Sequence, residues 1–236
     1  INAKAKTAIA LVAKELVNAK GAAVVVAGAN DVYIQSLVNA INTQLGAYGA
    51  IIDLDNYSKQ YQGSDAAFQK FLTDAKAGQV GVAFFLNSNP AYNYFKAEDV
   101  KAAIAKIDFT VSLSDRDDET AILTKAIAPV PTYLESWGDG SSKEGLVTIV
   151  QPTINPVFDT RQPEKSFLVW SGDSATDIYD FVKENWEANI LAGTEKTWKD
   201  VLQTGYIYKG SNTGSAYSAN VDVNAVAAAI VNDAKK

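Results

Sequence analysis

Four short stretches carry residue types that could do chemistry. Asp115-Arg116-Asp117-Asp118-Glu119 sets four carboxylates within five residues, a density that could hold a divalent cation. Its spacing is not that of an EF-hand loop, and acidic residues equally suit a helix start, where they face free N–H groups. Glu135 and Asp139 flank Trp137, a pair that could divide acid and base work if the two carboxyls converge; a solvated loop is the plain alternative. Asn87-Ser88-Asn89-Pro90 follows an apolar run, and two side-chain amides beyond a strand end could read the edge of a purine, although Asn and Pro also simply make turns. Gly28-Ala29-Asn30 joins another apolar run to a helical pattern, where a glycine turn can seat a phosphate. No G-x-G-x-x-G is present and Asp31 puts a negative charge at that place, so a capped turn is the expected role.

Missing residue types exclude whole classes of chemistry. The 236 residues contain no His, Cys or Met. Ser-His-Asp and Cys-His catalysis, iron–sulfur and haem ligation, Cys/His zinc sites and disulfides are therefore outside this chain's means. Redox work within it calls for a non-covalently bound organic cofactor. Without a Met the chain does not begin at a translation start, so it is expected to be processed, excised or trimmed, with any signal peptide or neighbouring domain out of view. Twenty-seven Asp and Glu against 21 Lys and Arg give a net charge of −6 and a pI near 4.8, which disfavours nucleic acid and polybasic membrane docking. No apolar run approaches the ~20 residues of a membrane-spanning helix, so no direct insertion is expected.

The elements that position these stretches follow from hydrophobic period. Ile9, Val12 and Leu16 recur at helical spacing over residues 2–19, and Gly21 ends the run. Ala23–Ala27 (AVVVA), Ile51–Leu54, Val80–Leu86 (VGVAFFL) and Phe109–Leu113 read as strands, the first and third as strands buried on both faces. Helical patterns separate them: Ile34 to Leu45, a helix opened by Ser64, and one bearing Val100 and Ile104. Residues 87–94 read as a polar loop. Such alternation predicts an α/β fold, a Rossmann-like, mostly parallel sheet with helices on both faces. Beyond about residue 125 the pattern loosens into an irregular stretch at Trp137–Lys143, a short strand at Val147–Val150, helices around Phe181 and Val201, a Ser/Gly/Asn-rich loop over 209–220, and an alanine-rich final helix, Asn224–Lys235. The expected division is a Rossmann-like domain over 1–165 and a helical and loop extension over 166–236 packed on it.

In order along the chain, Leu86-Asn87-Ser88-Asn89-Pro90, Phe109-Thr110-Val111, Asp118-Glu119-Thr120-Ala121, Tyr133-Leu134-Glu135-Ser136-Trp137-Gly138-Asp139 and Gly145 resemble the molybdopterin oxidoreductase superfamily. There the same order runs as a G-G-N-P loop, a strand, an E-T-A helix start, an L-P segment and an E-x-x-G stretch. Within that superfamily the D-D-E-T-A and Y-L-E-S-W-G-D runs are similar to the molybdopterin-oxidoreductase-like part of the iron–sulfur subunit of alternative complex III. Trp198-Lys199-Asp200-Val201-Leu202-Gln203-Thr204-Gly205 resembles its W-x-x-x-L-x-x-G stretch. The similarity covers about residues 22–162 and extends weakly to 205.

The resemblance implies a cofactor-binding position at Asn87, Ser88, Asn89, Pro90, Ser114, Glu119 and Thr120. Departures at that position imply that it has lapsed. Asn87 and Ser88 stand where two glycines admit the nucleotide, and Ser114 stands where an aspartate is common. The expectation is therefore a chain without a cofactor and without catalytic residues. It would be a structural domain of a membrane-anchored, quinol-oxidising respiratory complex, its partners the other subunits or domains of that complex. Electron transfer would run through iron–sulfur clusters elsewhere, and the location would be periplasmic, reached by a Tat-type signal. Two alternatives stay open: a domain that still binds molybdopterin guanine dinucleotide in a working molybdenum enzyme, and a small-ligand binding module.

Overall fold

The structure is a computed structural model that describes residues 2–210, 214–215 and 217–233. Its fold is α/β. Contacts divide the chain into two compact units, one of Ile1–Lys59, Lys143–Gly145 and Lys209–Lys236, the other of Gln60–Ser142 and Leu146–Tyr208. This partition differs from the one drawn at residue 165 from the loss of strand–helix regularity.

In the first unit, α1 (Ala3–Asn18) and α2 (Val32–Gln44) form where the period predicts them. The Asp31 carboxylate caps α2 by accepting from the N–H groups of Tyr33 and Ile34, each at 2.9 Å. Ala23–Ala27 is not a strand, and Ile51–Leu54 keeps only an isolated bridge between Ile52 and Tyr48. The Asn42 side-chain amide, buried on α2, takes the place of a neighbouring strand: it accepts from the Val25 N–H at 2.8 Å and donates to the Val25 carbonyl at 2.9 Å. Gln35 donates to the carbonyls of Ala27 and Ala29. Side-chain amides thus satisfy backbone groups that a sheet would otherwise pair. Val26 is 83% exposed, so an apolar run that reads as doubly buried is open to solvent here.

The second unit holds the parallel sheet. α3 (Asp65–Lys76) starts at a Ser64 cap and leads into β1 (Val82–Leu86). A short turn of helix, α4 (Pro90–Asn93), lies inside the expected polar loop, with proline at its first position, where a missing N–H costs nothing. α5 (Ala97–Ile104), β2 (Phe109–Leu113) and β3 (Ala126–Ile127) follow, and the sheet runs β1-β2-β3, all parallel, with Val82 opposite Phe109 and Val111 opposite Ala126. Ala83 and Phe85 point into a core with Leu72, Val100, Ile104 and Ile107.

The other face of β1 is not buried as its composition predicts: Val82, Phe84 and Leu86 are 53%, 44% and 46% exposed. Side chains alternate along a strand, and only one side of β1 carries α3 and α5. Phe84 finds its contacts on α6 (Pro163–Trp170), stacked on Trp170 and edge-on to Phe167.

The segment expected to be irregular at Trp137–Lys143 is instead strand β4 (Gly138–Lys143), first in a second sheet of order β4-β5-β6 with β5 (Leu146–Val150) and β6 (Tyr206–Tyr208). α7 (Ile178–Asn185), a π-helical turn and α8 (Trp198–Thr204) pack a core on that sheet around fully buried Trp186. In the first unit the chain ends in α9 (Val223–Asp233); Ala234 and Lys235 of the expected final helix lie outside the described residues.

Candidate functional site

In a parallel sheet the strand C-termini leave a crevice where ligands bind. Here β1 ends at Leu86 and β2 at Leu113, side by side in register, with Asn87 N–H donating to the Leu113 carbonyl at 3.0 Å. The loops that follow them meet, and this brings Asn87, Ser88, Asn89, Pro90, Ser114, Glu119 and Thr120 to one place.

Asn89 is the hinge of the arrangement. Its Oδ1 accepts from the Thr120 N–H at 3.1 Å and from Thr120 Oγ1 at 2.8 Å, while its Nδ2 donates to Glu119 Oε2 at 2.6 Å. Thr120, wholly buried, accepts through Oγ1 from the Ala91 N–H at 3.0 Å, which ties the loop after β2 to the start of α4. The Asp118 carboxylate caps the next turn, accepting from Thr120 and Ala121, and Ser114 Oγ donates to it at 3.2 Å. The amide bond from Asn89 holds the Glu119 carboxyl below its ordinary range. Polar groups that could face a ligand are thus spent largely on one another.

Asn87 has φ of 44°, the left-handed region that glycine enters freely and asparagine tolerates. The backbone keeps a glycine-like bend while the residue carries a side chain. Asn87 and Ser88 are exposed and line two adjoining clefts. One, about 310 Å³, is polar, with Asn89, Asn93, Ser114, Asp115, Arg116 and Asp118. The other, about 990 Å³, runs along β1 and is walled by Phe68, Phe71, Phe84, Phe85 and Tyr94.

Tested against the dinucleotide that the resemblance brings with it, the polar cleft does not fit. Its one cation, Arg116, grips Asp115 through two bonds of 2.8 Å, which lowers the Asp115 carboxyl's pKa and raises that of the guanidinium. Asp118 remains in the lining, so a pyrophosphate would meet negative charge with no free cation beside it.

The remaining candidates separate. Glu135 closes a capping box with Thr132 and accepts from the Val157 N–H, whereas Asp139 Oδ2 accepts from Trp186 Nε1 at 3.0 Å. Each carboxylate has its own structural task, neither being the solvated loop residue that composition suggests. Gly28-Ala29-Asn30 leads into the Asp31 cap as a plain capped turn. Among the described residues, no three of Asp, Glu, His or Cys group as a metal site.

Sequence reasoning missed the Asn42 clamp on Val25 and the aromatic group of Trp137, Tyr179, Trp186 and Trp198, in which Trp198 Nε1 donates to the Tyr179 hydroxyl at 3.1 Å. Four tryptophans in an acidic chain were the only trace of the second.

No family model matches the chain. A curated relative, the menaquinone reductase, molybdopterin-binding-like subunit of Nitratidesulfovibrio vulgaris, is 25% identical over 187 residues, covering 75% of this chain. This chain spans 26% of that relative's length. Among solved structures, acetylene hydratase from Pelobacter acetylenicus aligns with a TM-score of 0.46 at 17% identity, over 61% of this chain and 20% of that one. The chain is molybdopterin-oxidoreductase-like.

Proposed function

We propose that this chain is a non-catalytic domain of a molybdopterin-binding-like subunit in a membrane-associated, multi-subunit quinone oxidoreductase of the alternative complex III type. One observation carries the reading: Asn89, Thr120, Glu119, Asp118 and Ser114 bond to one another at the crevice where a nucleotide would lie. Asn87 and Ser88 add side chains at the approach, and the lining offers a pyrophosphate carboxylates rather than a free cation. The relative's name supports the setting in a quinone-reducing complex. Electrons would pass through iron–sulfur clusters outside this chain, because it has no cysteine to hold one. The domain would supply scaffold and contact surface on the periplasmic side of the membrane.

The test is expression in a host that makes the cofactor, then metal analysis and pterin fluorescence after denaturation. Neither molybdenum nor pterin is expected in stoichiometric amount. The Asn87→Gly/Ser88→Gly variant is expected to remain empty as well, since the carboxylates and the mutual bonds persist. Stoichiometric pterin in the natural chain would restore the cofactor-binding alternative.

A further inference from the structure

The sixteen-residue helix α1 buries none of its side chains. Winding at 3.6 residues per turn sets Ala5, Ala8, Ile9, Val12, Ala13 and Leu16 on one arc. Ile9 and Val12 are each 56% exposed, and Leu16 is half-buried. Lys4 and Lys6 border that arc, and Lys14 lies on the polar side with Thr7 and Asn18. Residues 2–20 hold four lysines, Lys4, Lys6, Lys14 and Lys20, against the single acid Glu15, a local charge of +3 in a chain of net −6. Among the described residues none of these lysines forms an ion pair, whereas Lys59, Lys70, Lys76, Lys101 and Lys183 each do.

An apolar stripe edged by unpaired cations is the pattern of a helix that lies in a bilayer interface: the stripe enters the headgroup boundary and the lysine stems reach back to phosphate. We infer that α1 docks in the plane of an anionic phospholipid surface. Charge complementarity selects this occupant over a second copy of the chain, whose own α1 would bring a like charge. The net −6 acts weakly against it, because salt screens charges beyond about 8 Å while lysines at the interface sit within that distance of the lipid phosphates. No helix among the described residues is long and apolar enough to cross a membrane, so the contact is peripheral. The inference stands apart from the functional reading above, since it uses no residue of the crevice.

The experiment is co-sedimentation of the full chain with sucrose-loaded vesicles of phosphatidylcholine, with and without about 30% phosphatidylglycerol. Binding to the anionic vesicles is expected, with little to the neutral ones, and it should fall about tenfold or more in about 0.5 M salt. Replacing Lys4, Lys6 and Lys14 by Gln should weaken binding about tenfold or more, and Val12→Asp should do the same through the apolar face. Both changes fall on exposed positions, so circular dichroism should be unchanged. Equal binding to both vesicle types, or full binding by Val12→Asp, overturns the inference. So does a natural chain that is dimeric by light scattering and becomes monomeric with Val12→Asp, since a second copy would then cover the stripe.

Discussion

Asn89 shows how a residue suited to recognition becomes a structural one. Its amide has few hydrogen-bonding sites, and Thr120 and Glu119 take both ends. Asn89→Ala would strip Oδ1 from the wholly buried Thr120, and a loss of ~1–3 kcal/mol in urea titration is expected, the range for a polar group left unpaired. The pH dependence has a definite sign. Glu119 is held below its ordinary 4.5 by the Asn89 amide, so its contribution is present above the unfolded value and is lost as pH falls through the lower folded one. The stability gap between natural chain and Asn89→Ala should therefore narrow on the acid side of about pH 4. A gap constant from pH 7 to pH 3 would show that Thr120 alone accounts for it. Glu119 is exposed, so solvent screens its part and the Thr120 bonds dominate at neutral pH.

At the scale of the element, β1 decides how well composition predicts burial. Phe84 and Phe85 are neighbours of one type, yet Phe85 is 6% exposed and Phe84 44%. Phe85→Ala is expected to cost ~3–5 kcal/mol, as for a ring lost from a packed core. Phe84→Ala should cost ~1–2 kcal/mol, because that ring keeps only its contacts with Phe167 and Trp170. Equal losses in denaturant titration would mean that both faces are covered in solution. β1 also forms an edge of its sheet and carries no charge, proline or bulge to discourage pairing with another strand. Val82→Lys, on the exposed face, is expected to lower concentration-dependent light scattering without moving the unfolding midpoint. Unchanged scattering would show that this edge is not what associates.

For the whole molecule, charge composition sets behaviour in solution more directly than fold does. A net charge of −6 with a pI near 4.8 predicts a solubility minimum close to that pH and retention on an anion exchanger at pH 7. The absence of cysteine removes disulfide exchange from refolding, so the unfolding midpoint should be the same with and without reductant. A midpoint that shifts with reductant would point to a modification of the chain.

The sequence by itself determined the α/β class, the parallel pairing of Val82–Leu86 with Phe109–Leu113, most helix boundaries, and the convergence of Asn87–Pro90 with Ser114, Glu119 and Thr120. These follow from local causes: side-chain period, caps such as Asp31 and Ser64, and the rule that parallel strands end on the same side of a sheet. Tertiary structure decided what those causes leave open. An apolar run such as Ala23–Ala27 states that burial would be favourable but names no partner, and here the Asn42 amide takes its backbone bonds. Gly138–Lys143 has almost no apolar residue to announce a strand and becomes one beside Leu146–Val150. Glu135 and Asp139, only four residues apart, serve a helical turn and a tryptophan because hydrogen-bond partners 22 and 47 residues away in the chain claim them. Long-range partners of this kind leave no periodic mark in sequence, and they determine which polar side chains stay free for chemistry.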